Sequence, residues 1–120
     1  MGALHEAMYE LVERLQPDLC VIERPFFGVN AASALKLGEA RGALMSAVNR
    51  LGVAIAEITP AEVKRKIAGG GAADKEGVSR AVEMFLGFER GRMPFDVTDA
   101  LAIALTHIHF DANRWGRVVR

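Results

Sequence analysis

Leu19-Cys20-Val21-Ile22-Glu23 and Val53-Ala54-Ile55-Ala56-Glu57-Ile58 decide the fold. Each is a short apolar run bounded by turn signals, which reads as a buried strand. Between them lies a helix over residues 31–51, carrying Ala34, Leu37, Ala40, Gly42, Leu44, Ala47 and Val48. Strand, long helix, strand implies parallel pairing through a right-handed crossover. Working outward, residues 3–15 place Ala3, Leu4, Ala7, Met8, Leu11, Val12 and Leu15 at helical spacing, and Gln16-Pro17-Asp18 stops that helix. Arg24-Pro25 ends the first strand, and Phe26-Phe27-Gly28-Val29-Asn30 is a loop. After the second strand, Thr59-Pro60 offers an N-cap with proline at the first helical position, and Glu62 completes a capping-box pattern. A helix over 60–68 is interrupted by Gly69-Gly70-Gly71, another spans 74–86 with Gly87 as its stop, and a last one covers 96–110. No repeat or interdomain linker divides the chain. Residues 1–120 read as one α/β domain.

Bulk properties narrow the partners only a little. A chain of 120 residues buries roughly two thirds of its unfolded surface. Its 51% of apolar residues suffices for a core and for a subunit interface as well. Formal net charge is zero, which removes any whole-molecule argument for nucleic acid. The second half is the more basic, with clusters at Lys64-Arg65-Lys66, at Lys75 and Arg80, and at Arg114, Arg117 and Arg120. Such clusters either track a phosphate backbone or form a solvated face. One cysteine, Cys20, allows no internal disulfide and fits a reducing, cytoplasmic setting. Acids follow the N-terminus almost at once, so no signal peptide is read, and no apolar stretch is long enough to span a membrane.

Three carboxylates stand where the chain is otherwise apolar. Glu23 closes the first strand, while Asp96 and Asp99 open the apolar run Ala100-Leu101-Ala102-Ile103-Ala104-Leu105. A charge beside a core costs several kcal/mol unless it is paired or holds a metal. Oxygen ligands suit hard divalent cations, and ligands in open α/β sheets gather beyond the carboxyl ends of strands. The first reading is a magnesium-dependent enzyme acting on phosphates. The plainer reading makes Asp96 an N-cap with Asp99 at N3, and Glu23 the partner of Arg24 in a surface ion pair. Phe26 and Phe27 either tuck into the core or stack on a ligand. Gly69-Gly70-Gly71 is not a phosphate-binding loop, since no Gly-Lys-Ser/Thr follows it. His107 and His109 stand two apart, on different helix faces. The small residues of helix 31–51 permit either packing on the chain's own sheet or a crossing with a symmetry-related copy.

Val21-Ile22-Glu23-Arg24-Pro25-Phe26-Phe27, with Asn30 and Ser33-Ala34-Leu35-Lys36-Leu37-Gly38-Glu39-Ala40-Arg41-Gly42, closely resembles the RuvC family of bacterial Holliday junction resolvases. So does Asp96-Val97-Thr98-Asp99-Ala100-Leu101-Ala102-Ile103-Ala104-Leu105-Thr106-His107. The resemblance covers essentially the whole chain. It implies an RNase H-like fold, a central sheet flanked by helices, and a homodimer formed through helix 31–51. It also implies metal-dependent cutting of four-way junction DNA in recombination and repair. The implied cofactor is Mg²⁺, with Mn²⁺ as a substitute and two ions per site in the complete family enzyme. By the same resemblance Glu23, Asp96 and Asp99 match three of four catalytic metal-binding positions. Phe26 matches a loop aromatic at the crossover, and Lys64 and Lys75 match residues that approach the DNA backbone. The branch-migration machinery is an implied partner, and the bacterial cytoplasm the implied location.

The family begins with an apolar strand carrying Asp-Pro-Gly, whose aspartate is the fourth ligand, and two antiparallel strands follow it. No Asp-Pro-Gly occurs in this chain. The expectation is an N-terminally truncated domain whose sheet keeps two parallel members, with an exposed edge. Two rivals to a junction-cutting enzyme follow. One is a catalytically incomplete fragment that binds junctions or dimerises; the other is an RNase H-like nuclease with a different nucleic-acid substrate.

Overall fold

The computed structural model describes residues 2–24, 30–69, 74–111 and 118–119. Along them run helix α1 (Gly2–Leu15), strand β1 (Leu19–Glu23), helix α2 (Ala31–Arg50), strand β2 (Ala54–Ile58), and helices α3 (Pro60–Ile67), α4 (Lys75–Leu86) and α5 (Phe95–Thr106). A π-helical turn over His107–Asp111 and a two-residue strand, β3 (Val118–Val119), complete the order. Phe26 and the arginines at 114, 117 and 120 lie outside the described residues.

The three strands form one sheet in the order β1–β2–β3. α2 connects β1 to its neighbour β2 in the parallel crossover expected of that sequence order. The amide of Arg24 donates to the carbonyl of Ile58 at 2.7 Å, just beyond the end of β1. The third strand corrects the two-membered sheet read from sequence. β3 pairs antiparallel with β2, setting Val118 opposite Ala56 and Val119 opposite Ile55. Two residues among arginines carry too little alternation to show as a strand beforehand.

The chain divides into two compact units, Met1–Cys20 with Pro25–Glu57 and Gly116–Arg120, and Val21–Arg24 with Ile58–Trp115. In the first, α1 packs on α2. Arg50 at the end of α2 lies over the ring of Tyr9, 4.7 Å from its centroid, and His5 stacks on the same ring. Val12, Ala47 and Val48 are buried. Arg41 of α2 is tied to Glu57 of β2 by an ion pair of 2.7 Å. The N-terminal half of α2 stays open: Leu35 and Leu37 are 65% and 44% exposed, and space surrounds Gly38 and Gly42.

The second unit holds the larger core. Ile58, Val63, Ile67, Val78, Val82, Ala102 and Leu105 form a buried cluster, and Val21 of β1 packs against it. Local chemistry sets its helices. The Thr59 hydroxyl accepts from the Glu62 amide at 3.2 Å to start α3, and the Asp74 carboxylate accepts from the Gly77 amide at 2.8 Å to start α4. Gly87 ends α4 in the left-handed region, at φ 70°. No helix among the described residues is long and apolar enough to cross a membrane.

Candidate active site

α5 begins one residue earlier than the sequence suggested, and that shift changes what its acids do. Pro94 occupies the cap position and supplies no side-chain cap bond, so Asp96 and Asp99 both lie inside the helix. The expectation that they form an N-cap and an N3 acid is therefore corrected. A capping aspartate needs extended backbone to fold its carboxylate over the first amides, and at Asp96 the chain is already helical. Neither carboxylate is spent on capping. They stand three residues apart, a spacing that puts side chains on neighbouring positions of one helix face.

Glu23 reaches Asp99 from the other side. It is the last residue of β1, while α5 delivers Asp99 over the same cleft. That cleft, about 200 Å³, lies within the second unit and has Glu23, Lys64, Lys75 and Asp99 as its charged lining. Its floor is apolar, from Pro60, Val63, Val78, Ala102 and Ile103. Each polar group has a positional reason. β1 must end where Arg24-Pro25 begins. Lys64 projects from α3 one residue after buried Val63, and Lys75 opens α4 three residues before buried Val78. The apolar residues fix the helices, and the charged ones are carried to the rim.

The charges act on one another. Glu23 is solvent-exposed at the end of β1, but partial desolvation where it borders the cleft pushes its carboxyl above the ordinary value, and the Asp99 carboxylate raises it further. Lys75 and Lys64 pull it the other way. A carboxyl raised by desolvation and by a neighbouring carboxylate, on an apolar floor, makes a site that a cation would relieve. Lys64 and Lys75 beside them leave the cleft mouth open to an anion.

Asp96 does not join this group. It stands one turn before Asp99 and, unlike Glu23, does not line the cleft. Among the described residues no three His, Cys, Asp or Glu side chains gather closely enough to hold a metal ion. The donor chemistry nevertheless fits one hard cation. Mg²⁺ is usually held by one or two carboxylates, with water and substrate phosphate filling its other positions, and Glu23 with Asp99 supplies two. Of the residues singled out from sequence and resemblance, Glu23, Asp99, Lys64 and Lys75 are brought to one cleft and Asp96 is not. Sequence reading missed the apolar floor, although the period of Val63 with Ile67 and of Val78 with Val82 marks which helix faces turn inward.

Three comparisons bear on this arrangement. A family model described as crossover junction endodeoxyribonuclease RuvC matches residues 1–107. The RuvC endonuclease of Moorella thermoacetica is 44% identical over 110 residues, covering 92% of this chain and 66% of its own length. That of Chlorobium phaeovibrioides is 45% identical over 105 residues, covering 88% of this chain and 56% of its own. The chain thus spans less than two thirds of the length of these relatives. Among solved structures, Thermus thermophilus RuvC superposes with a TM-score of 0.81 at 36% identity, covering 98% of this chain and 69% of that one. The same protein in complex with a Holliday junction substrate gives 0.84, also at 36% identity, covering 98% and 70%.

Proposed function

The chain belongs to the RuvC family of crossover junction endodeoxyribonucleases and has its RNase H-like α/β fold, and on that footing we propose that it cuts four-way DNA junctions by metal-dependent phosphodiester hydrolysis. The observation that carries the proposal is the convergence of Glu23 and Asp99, from different elements, in a cleft rimmed by Lys64 and Lys75. In this reading residues 1–120 act as one resolvase domain in the bacterial cytoplasm, in homologous recombination and repair. Phe26, which follows β1 in sequence, is the base-contacting aromatic.

Glu23 and Asp99 would hold the cation, Mg²⁺ with Mn²⁺ as a substitute, and Asp96 stands as the flanking acid for a second ion. When bound, such a cation lowers the pKa of water and stabilises charge on the phosphate and leaving oxygen. The chain's own residues do the rest. Lys64 and Lys75 draw the phosphate backbone to the cleft mouth. The floor of Val63, Val78, Ala102 and Ile103 restricts water on one side of the site, which strengthens each electrostatic contact within it. The open half of α2, with Leu35, Leu37, Gly38 and Gly42, is the surface for a second copy. A twofold pair would set two clefts on opposed strands of one junction.

The test is incubation of the protein with a labelled four-way junction and Mg²⁺, scored for paired, symmetric nicks. Nicks in opposed strands support the enzyme. A second reading, a junction-binding and dimerising protein without catalysis, is favoured by the failure of three acids to converge among the described residues. It predicts a shifted junction band and no nicks from folded protein. Cutting of linear duplex or RNA–DNA hybrid would instead revive a nuclease of other specificity.

The basic rim gives a separate expectation. Lys64→Ala and Lys75→Ala should each weaken binding to all DNA alike and lower the slope of log affinity against log salt by about one. Fluorescence anisotropy titrations across a series of salt concentrations measure this. An unchanged slope in either variant would remove that lysine from the interface.

A further inference from the structure

We infer that Arg90, a residue outside the cleft, is the positioning residue for the start of α5, the turn that leads into Asp99. The inference rests on the reading of Glu23 and Asp99 as cation ligands.

A helix start leaves four amides without intrahelical partners, and a side-chain cap normally meets one of them. α3 and α4 have such caps from Thr59 and Asp74, while α5 has none. The helix is anchored by buried Thr98, Ala102, Leu105 and Thr106, from its fourth residue onward. Asp96 and Val97 of its first turn are exposed. An uncapped turn with exposed residues, leading straight into Asp99, needs a constraint besides buried Thr98, because about 1 Å of misplacement at a reacting centre is costly.

Arg90 supplies that constraint through two different contacts. Its Nη1 donates to the Met93 carbonyl at 2.6 Å, and its guanidinium lies over the Phe95 ring with Cζ 3.9 Å from the centroid. The turn between is closed by the Met93 amide donating to the Arg90 carbonyl at 3.0 Å. Gly91 permits it, at φ 56°, a left-handed conformation in which other residues are strained. Phe95 is the first residue of α5, and its carbonyl accepts the hydroxyl of fully buried Thr98 at 3.1 Å. Thr98 sits between the two aspartates in sequence. Arg90 thus grips the first helical residue on its ring face, and Thr98 grips the same residue at its carbonyl; Asp96 rides on the turn held between them and Asp99 follows directly after it. A planar guanidinium can stack and donate at once, which lysine does less well.

The test is Mn²⁺ binding to the protein without DNA, followed by the loss of the free-ion electron paramagnetic resonance signal, with thermal melting in parallel. Arg90→Ala should weaken Mn²⁺ binding about tenfold or more, in the range of lost outer-shell support, while its melting temperature stays close to that of wild type. Arg90→Lys should recover part of the loss. Phe95→Leu, which keeps apolar bulk without the ring face, should also bind less tightly, and it carries the test if Arg90→Ala does not fold. Wild-type affinity in folded Arg90→Ala or Phe95→Leu overturns the positioning role alone. Wild-type protein that binds no Mn²⁺, or binds it unchanged after Glu23→Gln, overturns the ligand reading and the positioning role with it.

Discussion

Glu23→Gln is expected to slow junction cutting by more than ~100-fold while leaving junction affinity at or above that of wild type. Loss of outer-shell support alone costs a metal site about 10–100-fold, and this substitution removes a proposed ligand outright. Glutamine keeps the size of the side chain and an oxygen, but it loses the charge that draws a hard cation. Affinity is expected to hold because the charge proposed to meet DNA comes from Lys64 and Lys75, and removing an acid beside them leaves the cleft more attractive to phosphate. Cleavage rates and binding isotherms on the same junction separate the two effects. Unchanged cutting would remove Glu23 from the chemistry.

The same variant carries a pH signature of opposite sign to its loss of activity. The Glu23 carboxyl is held above its ordinary value in the folded chain, first by partial desolvation and then by Asp99. Below the unfolded value both states keep the proton, and Glu23 is neutral with respect to folding. As pH rises through the folded value the folded state binds more protons than the unfolded one, so stability falls. Glutamine has no proton to lose. In chelator, therefore, Glu23→Gln should melt no lower than wild type near pH 7, and the difference should close as pH approaches about 4. A metal-site acid that weakens the empty fold is expected where function sets the residue. A lower melting temperature for the variant at pH 7 would mean that Glu23 serves as a structural ion-pair partner instead.

What the sequence disclosed follows from which forces are local. The limits of β1 were readable to the residue because Pro17 and Pro25 bracket an unbroken apolar run. Thr59 and Gly87 announced the start of α3 and the end of α4, since capping depends on the nearest few residues. The start of α5 was misplaced because two candidates for the cap compete there: Asp96, and Pro94 two residues earlier, whose fixed φ is compatible with a helix start. The proline took the cap position. The helix predicted to reach residue 110 turns π-helical at His107. A 3.6-residue period fails across such a turn, and His109 stacks on Phe85 at 5.8 Å. At the site, sequence spacing placed Asp96 and Asp99 on one helix face. Only the folded chain distinguishes Asp99, which meets Glu23 in the cleft, from Asp96, which stays outside it. That distinction depends on the rotation of α5 about its axis, which is set by what Thr98, Ala102 and Leu105 bury against. No single window of sequence contains that packing.

Ile58→Ala is expected to destabilise the chain by about 2–5 kcal/mol, the range for truncating a fully buried isoleucine. Ile58 is 2% exposed and belongs to the core shared by Val63, Ile67, Val78, Val82, Ala102 and Leu105. Those residues come from α3, α4 and α5, so the cavity left by three missing carbons would face three helices at once. Their rigid packing against one strand end leaves little room for collapse, which favours the upper part of that range. For a chain of this size each kcal/mol lowers the melting temperature by roughly 3–6 °C, so a fall of about 10–20 °C is expected. Ile58→Val removes one methylene and should cost about 0.5–1.5 kcal/mol. The pair of variants also probes the site, because Val63, Val78 and Ala102 belong to both the core and the cleft floor. If the cleft takes its shape from this core, Ile58→Ala at a temperature where it is still folded should lose Mn²⁺ affinity that Ile58→Val retains. Differential scanning calorimetry fixes the temperature window, and metal titration within it gives the answer. Equal affinity in the two variants would mean that the backbone at β1 and α5 holds Glu23 and Asp99 in place without support from the packing beneath them.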